Sequence, residues 1–458
     1  MTNICIIATI IIYLVAMLLV GFAYSKSNND STDFYLGGRK MGPLVTAMSA
    51  EASDMSSWLL MGMPGLAYLT GIASPGWTAI GLALGTWLNW LIVARRLRRY
   101  SANLEAITVP QFLSLRFHDQ RNLLNALGAV IIIVFFVPYT ASGFAACGKL
   151  FHSLFGVDYM AAMVVSACVI VGYTITGGFR AVTTTDLIQS IVMSLALVAV
   201  LVYGIGAAGG WDAVVANAQS LPGNLTMMAS HNAAEGTATS YSLLDIVSTM
   251  AWGLGYFGMP HIIIRFMSLK SEKELRKSSV IGISWTTIIL IMSALTAIAG
   301  RLYLGEIEDS STVFITMVRR IFPALVSGLL LSAILSAAMS TADSQLLAAS
   351  SAFASDVYKP VIRKKASDSE MLWAGRIVVI VIAVVALMIA SDPNSGSIMG
   401  LVENAWGVFG AAFGPVILLS LFWKRLTFGG TVAGIAAGAA VDILWLVFLS
   451  STDIYEIV

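Results

Sequence analysis

The sequence predicts an all-α polytopic membrane protein, and three observations carry that prediction. Only 11% of the 458 residues are charged and 58% are hydrophobic, against about 25% charge in a soluble domain. Apolar runs of about 20 residues, the length that crosses a hydrocarbon core, recur twelve times, at 3–24, 43–70, 76–94, 122–150, 159–178, 182–209, 242–267, 277–303, 322–353, 371–391, 398–422 and 430–450. Two of these runs, the second and the seventh, are interrupted by Gly and Pro.

Helix 1 lacks a basic leader and a small-residue cleavage site, so it reads as a retained span rather than a signal peptide. Loops between the spans are too short for a soluble domain, and the longest, 210–241, is a polar Gly/Asn/Ser/Thr-rich connection. With the N-terminus outside, every Lys and Arg except Lys149, Arg301, Arg319 and Arg320 falls on the inward side, Arg265 among them. That bias predicts both ends outside and the basic loops in the cytoplasm. A net charge of +1 argues against nucleic acid as a partner. Cys5, Cys147 and Cys168 have no metal-type spacing and read as small hydrophobes. Asn224-Leu225-Thr226 reads as a coincidental sequon, and His118, His152, His231 and His261 are scattered, so a membrane enzyme has little support.

The chemistry concentrates in three spans. Helix 2 carries Asp54 among Ser49, Ser53, Ser56 and Ser57, followed by Gly62-Met63-Pro64-Gly65. A carboxylate at a membrane-helix centre costs about 2.5–3.5 kcal/mol on insertion scales and needs partners. Acid, hydroxyls and broken backbone together are what an intramembrane cation site requires. Helix 7 carries Gly253-Leu254-Gly255-Tyr256-Phe257-Gly258-Met259-Pro260. Interrupted spans at corresponding places in two halves point to a transporter's binding site, although a lone Gly/Pro kink would be ordinary.

In helix 9, Ser332, Ser336, Ser340 and Ser344 share one face, which a small-residue packing seam would also explain. Thr341 and Asp343 beside that face add oxygen ligands suited to a hard cation such as sodium. Asp343 and Ser344, with Asp54, are candidates to organise the ion region or form a second site. Asp186, after Thr183-Thr184-Thr185, is either an N-terminal cap at the cytoplasmic entrance of helix 6 or a second ion or exit-path carboxylate. Trp252, Tyr256 and Phe257 flank the helix 7 break, and Tyr139 follows Pro138 in helix 4. Trp252, Tyr256 and Pro260 are spaced by four, so a helical backbone would put them on one face, which is either a core or lipid-facing stripe or, because it lies at the break, the wall of a pocket for a small, partly apolar solute.

These segments resemble the solute:sodium symporter family, and within it the sodium/proline symporters. The resemblance lies in Tyr35-Leu36-Gly37-Gly38-Arg39, Ala52-Ser53-Asp54-Met55-Ser56, Trp58-Leu59-Leu60-Met61-Gly62, Ala251–Gly258, Pro260-His261, Arg265-Phe266-Met267, Met339-Ser340-Thr341 and Tyr455-Glu456-Ile457. It implies a LeuT-like core of two inverted five-helix repeats, 43–209 and 242–422. Helix 1 (1–24) and helix 12 (430–458) would be peripheral, with the family's usual thirteenth helix and tail not included. It further implies L-proline and Na+ as the transported pair, in a bacterial inner membrane surrounded by lipid and with no obligate protein partner.

Carried over by position, the sodium site would use backbone oxygens near Ala52, Met55 and Ala337 and the hydroxyls of Ser340 and Thr341, with Asp54 organising it. Asp186 matches a carboxylate linked to sodium binding or release. Proline would contact Ser56, Ser57, Tyr139, Trp252, Tyr256 and Pro260, with Phe257 beside them, and Arg39 would sit near the cytoplasmic gate. Three residues depart from the family pattern. Ser57 stands where glycine is expected, Met259 replaces a glutamine, and Glu51 replaces a small residue one turn before Asp54. Another amino acid or a small carboxylate as solute, or a transporter-like input module of a membrane sensor, are the alternatives.

Overall fold

In the computed structural model, which describes residues 2–28, 30–391, 398–449 and 454–455, helices cover the predicted runs. Among the described residues nine helices are long and apolar enough to cross a membrane. One of them, Tyr159–Ala207, has 49 residues. At 1.5 Å per residue it is about 74 Å long, more than twice a hydrocarbon core of about 30 Å, so it holds helices 5 and 6 end to end. The bend falls at Gly178 (φ 59°, ψ −156°), where a Cβ would lie 2.8 Å from the Phe34 carbonyl oxygen. Only glycine takes this conformation without strain.

Helices 2 and 7 are the interrupted spans. Helix 2 runs Pro43–Met55, then a 3-10 turn Ser57–Leu59, then Gly62–Thr70. Helix 7 starts at Leu243–Met250 on a capping box formed by Ser242 and Asp245. It tightens to a 3-10 helix over Ala251–Phe257 and resumes at Pro260–Ser268, with Pro260 in the first turn, where its missing N–H has no cost. Helix 9 (Ala324–Ser351) is buried along most of its length against helices 1, 4 and 5–6. Its serines and alanines let those neighbours approach. Part of the serine stripe is this packing: the Ser336 hydroxyl donates to the Tyr13 phenol of helix 1 at 2.9 Å.

Several boundaries differ from the sequence expectation. Helix 3 runs on through the basic cluster to Asn103, because Arg and Leu remain good helix formers after the apolar run stops. The 210–241 connection is not a plain loop. It folds as helix Trp211–Ser220 and an antiparallel hairpin, Ala229–Asn232 with Thr237–Ser240. Asn224, of the sequon, is 2% exposed there. Short helices Ser31–Leu36, Val109–Arg116 and Val313–Ile321 lie between the spans.

Candidate functional site

The last four carbonyls of any helix lack intrahelical partners. Because helix 2 stops at Met55, those of residues 52–55 are released in mid-bundle. Side chains from other helices meet two of them. Ser340 of helix 9 donates to the Ala52 carbonyl at 2.8 Å, and His261 of helix 7 lies 3.2 Å from that of Ser53. The Ala337 carbonyl accepts from Ser340 at 3.3 Å and from Thr341 at 3.2 Å. Four of the five residues expected at the sodium site are thus joined by hydrogen bonds across helices 2 and 9. The fifth, Met55, ends helix 2 beside them and borders the central cavity. These are oxygen donors without thiol or imidazole, a set suited to a hard monovalent cation.

The chain turns at Ser56 with φ 46° and ψ −175°, a conformation almost confined to glycine that costs a serine about 1–3 kcal/mol. Its hydroxyl accepts from the Trp58 amide at 3.1 Å and so caps the following turn. Beyond the turn lies a narrow cavity lined by Trp58, Leu82, Tyr139, Trp252, Val402 and Trp406 together with Asp54, Met55 and Ser56. Trp252 stacks with both Trp58 (5.8 Å between centroids) and Tyr455 (5.4 Å). The Ser57 hydroxyl and the Trp58 indole N–H are buried without a partner among the described residues.

Of the expected solute contacts, Ser56, Tyr139 and Trp252 line this cavity, whereas Ser57, Tyr256, Phe257 and Pro260 are buried around it. The coil type explains why Trp252 and Tyr256 part company. At three residues per turn, positions four apart are turned by about 120° from each other, against about 40° in an α-helix. The single face expected for these residues therefore does not form. Trp252 faces the cavity, while the Tyr256 hydroxyl donates to Asp54 and its ring stands edge-on to Trp406.

The remaining acids form a second polar centre. Asp186 is fully buried within helix 6, about two turns past the Gly178 bend, and caps nothing, which removes the N-cap alternative. Its Oδ2 accepts from Ser49 at 2.6 Å and pairs with Arg265 at 3.2 Å. Arg265 also donates to Ser49 at 3.0 Å, to Ser344 and to the His261 carbonyl. Asp343 accepts from Tyr173 at 2.7 Å and from Ser344 at 3.0 Å. Sequence reasoning counted Arg265 among inward-loop charges, but it is 1% exposed within helix 7. Its position inside an apolar run was the available signal, since such a charge needs a buried acid partner.

Arg39, at φ 54°, closes the Lys/Arg-rich face. It donates to the carbonyls of Met267 (2.9 Å), Ser101 (3.0 Å) and Ala106 (2.5 Å), tying the segment before helix 2 to helices 3 and 7. Burial, and next the positive charge of Arg98, push its guanidinium down to about 10, so it stays charged at neutral pH. Beside it the Met41 amide and carbonyl bond to Ser268 and Lys270 at 3.2 and 2.9 Å.

The chain is 45% identical to the high-affinity proline transporter PutP of Bacillus subtilis (96% of this chain, 92% of that protein). It is 42% identical to the osmoregulated proline transporter OpuE of the same organism (99% and 91%), and 43% identical to sodium/proline symporter 2 of Staphylococcus saprophyticus (96% and 86%). Among solved structures, the fold is similar to a substrate-bound, outward-open Na+-coupled sialic acid symporter (TM-score 0.82, 20% identity, 99% and 94% covered). It is also similar to MhsT in complex with L-phenylalanine (TM-score 0.61, 13% identity, 90% and 99% covered). These neighbours have the LeuT-like fold that the sequence predicts. With the sodium:solute symporter profile matching residues 34–438, the chain belongs to the sodium:solute symporter family.

Proposed function

We propose that this chain imports L-proline together with sodium by alternating access. The observation that carries the reading is the convergence of the Ser340 and Thr341 hydroxyls on carbonyls at the helix 2 break and on helix 9, beside an aromatic cavity. The names of the relatives, proline transporters and a sodium/proline symporter, support the solute. In this reading the halves are 43–209 and 242–422, the N-terminus is outside, and the Arg39 face is cytoplasmic.

Sodium, as cargo, binds between Ala52, Met55, Ala337, Ser340 and Thr341 and holds helix 2 against helix 9. That fixes the Ser56 turn and with it the floor of the cavity. Sodium therefore raises proline affinity, and linkage makes the effect mutual. Among the described residues Asp54 is the one charged side chain lining the cavity, and it attracts the cation and the amine of the solute. Tyr139, Trp252 and Trp406 enclose the apolar ring. Inward charge movement gains about 2.3 kcal/mol per charge per 100 mV. Release to the cytoplasm requires the Arg39 bonds to open and the helix 2 and helix 7 segments to part from helices 6 and 9.

Purified protein in liposomes tests the reading. An inward sodium gradient should drive accumulation of labelled proline, and a potassium gradient should not. Sodium-independent uptake, or no proline uptake, would sink it. The indole N–H of the cavity-lining Trp58, which has no partner among the described residues, favours one second reading, a solute with an additional acceptor group. A panel of unlabelled amino acids and small carboxylates that outcompetes proline would favour that solute instead.

A further inference from the structure

One buried carboxylate, Glu51, belongs neither to the sodium ligands nor to the cavity wall. It is 1% exposed. Its Oε1 accepts from the Trp90 indole at 2.7 Å, and its Oε2 accepts from the Thr286 hydroxyl of helix 8 at 2.8 Å. Both partners are neutral.

Trp90 lies in a π-helical stretch of helix 3, Asn89–Ala94. Such wide turns are uncommon and recur at functional sites. Here the turn aims two consecutive side chains inward. Asn89 donates to the Tyr256 carbonyl at 3.0 Å, while Trp90 reaches Glu51 and packs its ring on Phe266 at 4.5 Å. The Tyr256 hydroxyl in turn donates to Asp54, one helical turn after Glu51. The contacts close into a ring: Glu51, Trp90, Asn89, Tyr256, Asp54 and back along helix 2. Through Phe266 and Thr286 the ring also holds the far half of helix 7 and helix 8.

We propose that Glu51 is a positioning residue that locks both interrupted helices, helix 3 and helix 8 into one moving body, so that the sodium site and the proline cavity form together. The proposal rests on the transport reading above. Glutamine can replace glutamate in such a ring, since its carbonyl accepts from Trp90 and its amide donates to the Thr286 hydroxyl. Alanine cannot. Trp90→Phe keeps the ring contact with Phe266 and deletes only the donor.

Sodium-driven proline uptake by the wild-type protein in liposomes tests the transport reading. Glu51→Gln, Glu51→Ala and Trp90→Phe, compared with it, test the ring. Losing one hydrogen bond of about 1 kcal/mol corresponds to about a fivefold change. Trp90→Phe should raise the proline KM and the sodium half-saturation concentration in parallel by about fivefold, and Glu51→Ala, which loses both bonds, by about 25-fold, with Vmax nearly kept. Glu51→Gln should stay within about twofold of wild type. If Glu51→Ala yields no folded protein, Thr286→Val takes its place. The ring is overturned if Trp90→Phe changes neither constant. It is also overturned if Glu51→Gln is as impaired as alanine, or if the sodium constant moves alone, since either result would make Glu51 an ion ligand.

Discussion

Helix 2 and helix 7 are interrupted by different means. Helix 2 stops. Its backbone turns through a strained serine, and its last carbonyls are left to side chains of helices 7 and 9. Helix 7 stays coiled but tightens, and its glycines serve close packing rather than free backbone. A Cβ on Gly253 would collide with the Gly81 carbonyl oxygen of helix 3, and one on Gly255 with the Trp406 indole of helix 11. The contrast teaches a division of labour. An ion needs free backbone oxygens, which only a true stop supplies. A solute needs a shaped wall, which a tightly packed coil supplies through its aromatic side chains.

Substitutions can break or sharpen that division. The largest expected effect is Gly253→Ala. Backbone meets backbone there and cannot step aside, so overpacking of about 1–3 kcal/mol or more should lower the unfolding midpoint and the yield of folded protein and abolish uptake. An unaltered midpoint would deny helix 7 its packing role. Next, Ser340→Ala or Thr341→Ala should raise the sodium half-saturation concentration roughly 10- to 100-fold, the scale of one charged hydrogen bond. Uptake at saturating sodium should be largely kept, and an unchanged sodium requirement in both would remove helix 9 from the ion site. Trp252→Ala should raise the proline KM about tenfold with less than twofold change in the sodium constant, since it strips a cavity wall. If Trp252→Ala moved both constants equally, the wall and the ion site would not be separable. Smallest is Ser56→Gly, which relieves the strained φ but removes the cap on Trp58. The two terms oppose, so thermal stability should change by about 1 kcal/mol or less. A large loss would show that the serine hydroxyl, not the backbone turn, holds the break.

Much of this was legible in the sequence. Apolar run length located the spans because every crossing must satisfy its own backbone. The Gly run of helix 7 marked its tightened stretch, but helix 2 breaks at Ser56, and the expected breaker Gly62-Met63-Pro64-Gly65 instead opens the resumed helix. The motif around Ser340 led to the hydroxyls that meet Ala52 and Ala337. What was not legible depended on coil type and on distant partners. The four-residue spacing of Trp252 and Tyr256 predicts one face only if the coil has 3.6 residues per turn, and 251–257 has three. Asp186 looked like a cap because the polar run Thr183-Thr184-Thr185 reads as the start of helix 6, whereas that helix begins earlier, just after the Gly178 bend. Arg265 looked like a loop charge because its partners, Asp186 and Ser344, are each 79 positions away in the chain. Glu51 was visible as an extra acid, but nothing local to it pointed to Trp90 or Thr286.

The tightened stretch of helix 7 also stores length. Seven residues rising about 2.0 Å each span about 14 Å, whereas the same residues in an α-helix would span about 10.5 Å. Rewinding Ala251–Phe257 would draw the two halves of helix 7 together by about 3.5 Å and rotate one against the other. That is a stroke on the scale of a water molecule's diameter, available without breaking the chain's path through the bundle. Any such rewinding would have to respect the close approach of helix 3 at Gly253 and of helix 11 at Gly255, where no side chain separates the packed surfaces.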